Sequence, residues 1–256
     1  MAFLDRPNGA RIHYQVAGDP ERAPILLLEG LGGDVSGWGR TVSALASELF
    51  VVAFDHRGIG RSRSGEAPAT METYAGDGLA LMDELRLERF HLYGRSFGGM
   101  VGLELVVTHP HRVRSAVLAA THPGHRTALP TADRVPKDRP WLQRFSTSFA
   151  DDHPEVVEAL SRAERWHGRS RAGERRQWDA MRGWDVSERL GEVVVPVLVL
   201  HGSGDRLVDP RNAELLASRI PGAELVILEG AGHAYHVEQP ERADAAVLDF
   251  VRRHRT

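Results

Sequence analysis

Cysteine is absent from all 256 residues. That excludes disulfides, a thiol nucleophile and thiolate metal sites. Neither sign of charge dominates, since 32 Lys and Arg stand against 35 Asp and Glu for a net −3. No electrostatic case for a nucleic-acid partner follows from that balance. Long apolar runs are missing too: the longest, over 193–200, is far too short to span a bilayer. At the N-terminus, Ala2, Phe3 and Leu4 are followed at once by Asp5 and Arg6, so no signal-peptide core forms. A cytoplasmic location is the expectation. There is no internal repeat and no low-complexity segment. What remains is a composition of 42% hydrophobic and 26% charged residues, ordinary for a soluble globular protein of one large or two small domains.

Short β-rich runs recur along the chain. Residues 11–16 alternate and follow Pro7-Asn8-Gly9, a hairpin-turn signal. Continuous apolar runs at 25–28, 50–54, 90–93, 116–119, 195–200 and 225–228 suit central strands of a parallel sheet covered on both faces. Between them lie helical patterns. Residues 78–87 are amphipathic, 97–107 are apolar nearly all round, and Ala243, Ala246, Val247 and Phe250 form one stripe. The alternation predicts a doubly wound α/β fold whose first hairpin supplies an antiparallel edge. From 122 to 192 the strand pattern stops. This helical stretch holds four of the five tryptophans, Trp141, Trp166, Trp178 and Trp184. It reads as a lid inserted into a core of 1–121 and 193–256. The competing reading is a pair of ordinary surface helices.

The strongest chemical signal is Gly94-Arg95-Ser96-Phe97-Gly98, followed by Gly99. It sits between a strand pattern and a helix pattern, where a sharp turn would strain the serine and lift its hydroxyl above the sheet. A serine hydroxyl is a poor nucleophile at neutral pH and needs a base. Of 13 histidines, His233 follows a strand run and precedes the last helix, on the same sheet edge as Ser96. His236 shares that loop and is the alternative. His91 falls within a strand run and reads as a packed core histidine, while His56, His122 and His125 lie in loops that could reach substrate. Asp205, after the run at 195–200, is the carboxylate that would hold His233 in one tautomer and stabilise its cation. Asp209 precedes Pro210 and reads as a helix cap. Gly30-Leu31-Gly32-Gly33 mimics a dinucleotide loop, but Val35 occupies the last glycine position. His201 and Asp205 could suggest a metal pair, yet no third ligand has convincing spacing. Neither metal nor cofactor is expected.

Taken together, Glu29-Gly30-Leu31-Gly32-Gly33, Asp55-His56-Arg57-Gly58-Ile59-Gly60-Arg61-Ser62, the Ser96 elbow, the Asp205 loop and the His233 loop resemble the α/β-hydrolase superfamily over nearly the full chain. The resemblance implies an eight-stranded, mostly parallel sheet with helices on both faces, a helical lid after strand six, and the chain order Ser96, Asp205, His233. It also implies an oxyanion hole from the backbone N–H groups of Leu31 and Phe97. Most relatives carry histidine where this chain has Glu29, and often where it has Arg95. The stretch Leu31-Gly32-Gly33-Asp34 with Trp38 is similar to that of 3-oxoadipate enol-lactonases.

The expected activity is cleavage of a small-molecule carboxylic ester or lactone through a serine acyl-enzyme. Perhydrolase or haloperoxidase chemistry and carbon–carbon bond hydrolysis use the same triad and stay open. A catalytically silent ligand receptor is the alternative of another class. Candidate substrate contacts are Glu29, Arg95, Trp38, Trp141, Trp166 and Trp178. Glu29 and Arg95 should emerge at one sheet edge. They would either pair with each other beneath the site or find separate partners. Residues 161–182 hold seven arginines against three acids. That balance suits a substrate carboxylate, or simply a solvated helix face.

Overall fold

We describe a computed structural model covering residues 2–255 apart from 8, 67, 132–134 and 167–169, without the side chains of 163–166. Eight strands form one sheet: β1 (Ala2–Asp5), β2 (Arg11–Ala17), β3 (Pro24–Leu28), β4 (Phe50–Phe54), β5 (Phe90–Arg95), β6 (Val113–Ala119), β7 (Val197–Gly202) and β8 (Glu224–Leu228). Their spatial order is β1-β2-β4-β3-β5-β6-β7-β8. The β1–β2 and β2–β4 pairings are antiparallel, and every pairing from β3–β4 onward is parallel.

Strand alternation builds a core on each face. Leu26 and Leu28 of β3 point to one side, where α2 (Met71–Glu84), α3 (Phe97–Thr108) and α7 (Arg211–Arg219) bury Tyr74, Leu103 and Leu216. Ile25 and Leu27 point to the other, under α1 (Gly39–Ala46) and α9 (Pro240–Arg253), which bury Leu45, Val247 and Phe250. Both faces of the central strands are therefore dry, which is why they read as unbroken apolar runs. β8 departs from that expectation: it is the edge strand, and Leu225 is exposed.

Between β6 and β7 the chain makes α4 (Thr147–Asp152), α5 (Pro154–Trp166) and α6 (Arg171–Met181), with no strand among the described residues. Leu142, Phe145, Ala150, Val157 and Ala234 form a small core of their own, separate from the two beneath. Ala234 comes from the turn before α8 (Tyr235–Glu238), so this core ties the helical segment to the His233 loop.

Candidate active site

Ser96 lies between β5 and α3 with φ 52° and ψ −116°, a conformation that disfavours any side chain. Its surroundings hold it there. The Ser96 N–H donates to the Ala119 carbonyl at 2.8 Å, and Thr121 Oγ1 donates to the Ser96 carbonyl at 2.8 Å. The flanking glycines are obligatory on contact grounds. A Cβ on Gly94 would lie 2.2 Å from the Gly98 carbonyl oxygen, and one on Gly98 would lie 1.9 Å from that of Leu28.

Asp205 follows β7 and is buried. Its Oδ1 accepts the backbone N–H groups of Leu207 at 2.8 Å and Val208 at 2.9 Å. Its Oδ2 accepts from His233 Nδ1 at 2.7 Å and lies 3.1 Å from His201 Nε2. Burial pushes the carboxyl upward, but His233 and His201 outweigh it, and the group is held well below the usual carboxylate range. An ionised Asp205 fixes the proton of neutral His233 on Nδ1, leaving Nε2 with the lone pair a base requires. The His233 loop also reaches β5: Tyr235 and Tyr93 share a buried 2.8 Å hydrogen bond between their hydroxyls. The expected Ser96–His233 hydrogen bond is not made among the described residues. Catalytic hydrogen bonds of this kind commonly tighten only around substrate. Among the described residues His236 has no carboxylate partner. Burial and the cations Arg95 and Arg144 drive it well below the ordinary histidine range, so it stays neutral.

The loop after β3 lies against the nucleophile, since a Cβ on Gly30 would stand 3.5 Å from Ser96 Cβ. The Gly30 N–H donates to Glu29 Oε1 at 2.9 Å, the Gly33 N–H to the Gly30 carbonyl at 3.1 Å, and the Gly32 N–H to Gln177 Oε1 at 2.8 Å. Phe97 is the first residue of α3, where backbone N–H groups have no acceptor within the helix.

Glu29 and Arg95 pair directly, both buried. Arg95 Nη2 also donates to the Gly37 carbonyl at 2.8 Å, and its guanidinium sits 3.8 Å over the Trp38 ring. Trp38 is 1% exposed and packs edge-on against Tyr93. These three candidate substrate contacts thus form a buried support under the site, with almost no surface to offer a ligand. Trp178 is 51% exposed, on the outer side of α6. The Trp166 side chain lies outside the described residues. Trp141 is half-buried and lines a cavity of about 980 Å³ within the helical segment.

Phe145, Val157, Arg139, Arg144 and Arg171 also line that cavity. None of Ser96, Asp205 and His233 does, yet its walls rest on the His233 loop and on the loop after β3. A Cβ on Gly232 would meet Arg144 and Phe145 backbone at 2.8 Å, and one on Gly32 would meet Glu174 Oε1 at 2.6 Å. Of the arginines in the helical segment, Arg162 pairs with Glu158 and Arg182 with Asp179, both on the surface.

His56 is fully buried among Phe54, Tyr74 and Phe97, and its Nε2 donates to the Glu29 carbonyl at 3.1 Å. It supports the loop rather than reaching substrate. His122 is half-buried, with Nδ1 accepting from the Gly124 N–H at 3.2 Å, and exposed His125 packs 5.3 Å from it. His91 bonds Ser115 inside the core at 2.8 Å. Asp209 accepts the Arg211 N–H at 2.9 Å at the start of α7. Among the described residues no cluster of His, Asp and Glu could hold a metal ion. Sequence reading misses Gln177 and the role of His201. An amide in a polar helix and a histidine ending an apolar strand carry no pattern of their own.

Residues 19–240 match the family model described as serine aminopeptidase, S33. A RutD protein of Agrobacterium fabrum, named as a candidate carbamate hydrolase, is 31% identical over 94% of this chain and 98% of its own. 3-Oxoadipate enol-lactonase 2 of Acinetobacter baylyi is 28% identical over 94% of this chain and 93% of its own. The crystal structure of the enol-lactonase from Burkholderia xenovorans superposes with a TM-score of 0.84 at 28% identity, covering 95% of this chain and 97% of that one.

Proposed function

The chain belongs to the serine aminopeptidase S33 family of α/β-hydrolases, and we propose that it cleaves a small-molecule carboxylic ester or lactone through an acyl-enzyme on Ser96. The observation that carries this reading is the buried Asp205, which takes two backbone N–H groups on Oδ1 and orients His233 through Oδ2, together with a strained serine elbow. Ser96 Oγ attacks the substrate carbonyl while His233 Nε2 takes its proton, and Asp205 stabilises the imidazolium. The N–H groups of Leu31 and Phe97 receive the developing oxyanion. Removing one such donor typically costs about 10²–10³ in rate. His233 returns the proton to the leaving oxygen, then activates the water that releases the acid. A carbamate carries the same reacting carbonyl, as the name of the RutD relative would require.

We extend the reading to a substrate bearing a carboxylate, which Arg144 and Arg171 of the cavity wall would bind in competition with the lining acids Asp151, Glu158 and Glu174, Arg139 being paired with Asp151. The test is a screen of acyl esters, lactones, enol lactones and carbamates, alongside labelling with a fluorophosphonate. Ser96→Ala should abolish both turnover and labelling while keeping the wild-type melting temperature, and retention of most activity would sink the assignment. For the carboxylate, the free acid form of a good substrate should outpace its methyl ester, and the advantage should shrink at high salt. Equal rates would remove that part of the proposal.

A further inference from the structure

The loop that would supply the Leu31 donor is held from two directions. From below, Glu29 Oε1 takes the Gly30 N–H, and Glu29 is paired with Arg95, which in turn donates to the Gly37 carbonyl and lies over the Trp38 ring. From above, Gln177 Oε1 on α6 takes the Gly32 N–H at 2.8 Å. Leu31 lies between these two anchored amides. Gly32 has φ +69°, so the loop turns where Gln177 holds it. An oxyanion donor works only when its direction is fixed before reaction, and a glycine-flanked loop has little stiffness of its own.

Gln177 is 0% exposed, and its Nε2 has no partner among the described residues. An unpartnered buried amide nitrogen is a stability cost that an apolar side chain of similar shape would avoid, offsetting the loss of the acceptor for the part-buried Gly32 N–H. We propose that Gln177 is a positioning residue for the oxyanion hole, so that the helical segment between β6 and β7 completes the catalytic geometry as well as roofing it. The inference rests on the oxyanion assignment above.

The test substitutes Gln177→Met and Gln177→Leu and follows three quantities: melting temperature, kcat and KM for p-nitrophenyl acetate, and the rate of Ser96 phosphonylation by a fluorophosphonate. The expected result is a fall of tenfold or more in kcat and in phosphonylation, KM within twofold, and a melting temperature unchanged or raised. Hydrogen exchange over 29–37 should quicken in the same variants. Rates within twofold of wild type would overturn the inference. So would a loss that merely follows a lowered melting temperature, or a variant that fails to fold, because the buried amide would then be structural. A wild-type enzyme whose serine resists phosphonylation would instead defeat the underlying serine-hydrolase reading.

Discussion

Gly98 occupies a place where no methyl group fits. Gly98→Ala would drive a Cβ to within 1.9 Å of the Leu28 carbonyl oxygen, so β3 or the elbow must shift. The expected loss is well above the ~1 kcal/mol typical of a point substitution, read as a lowered melting temperature together with lost labelling of Ser96. A wild-type melt would contradict the contact argument. Asp205→Asn tests the opposite case, a change the fold should absorb. The amide no longer dictates the tautomer of His233, and kcat should fall on the order of 10⁴-fold. A fall under tenfold in the purified variant would mean another group orients the base. At this scale the proposed triad is legible because each candidate sits beside glycine in a loop that follows a strand run, and Ser96 stands at a turn between strand and helix. Glu29 and Arg95 are legible only as two alternatives. Gln177 is not legible, because its partner is a backbone N–H 145 positions away.

Among elements, strands are easier to read than helix starts. The apolar pattern marks α2 from residue 78, whereas the helix begins at Met71. Its start is set by a capping box between Thr70 and Thr73, with threonine in place of the usual Glu or Gln. β8 reads as a central strand because its apolar run resembles those of β3 and β5, and sheet position is not written in a run of four residues. α2 also carries a long-range anchor. Buried Asp77 accepts two bonds from Arg57, at 2.6 and 2.7 Å, and one from Arg6 at 3.1 Å. This gives the Asp55–Ser62 motif a structural purpose. Asp77→Ala leaves the Arg57 cation buried and unpaired, which should cost about 3–5 kcal/mol with little effect on kcat per folded molecule. Denaturant unfolding checks it, and a loss under 1 kcal/mol would argue that the pair is dispensable.

For the molecule as a whole, buried histidines set the acid limit. Burial lowers His56 from 6.5 to about 4, and burial with nearby arginines lowers His91 to about 4. In the unfolded chain both titrate near 6.5. As pH drops below that value, the unfolded state binds protons the folded state refuses, so stability falls between roughly pH 6.5 and 4. The full effect approaches about 3 kcal/mol per histidine. His91→Gln can still bond Ser115 but cannot titrate, so its melting temperature should fall less steeply between pH 7 and 4.5. An unchanged slope would place the acid sensitivity elsewhere.

The meeting of the helical segment with the sheet has a further consequence. At Gly32, Gly58, Gly173 and Gly232 the two parts touch where side chains are missing: a Cβ on Gly173 would lie 2.2 Å from the Gly58 carbonyl oxygen, and one on Gly232 would lie 2.7 Å from Ser146 N. Side chains join the two parts as well: Ser146 bonds Glu238, Trp184 bonds Glu104, and Met181, Val186 and Leu190 enter the core of the sheet. The 122–192 segment could be exchanged like a cartridge only if a replacement keeps these contacts, the small residues at the seam and an acceptor for Gly32. Substrate choice would travel with the cartridge, while the chemistry stays in the frame that receives it.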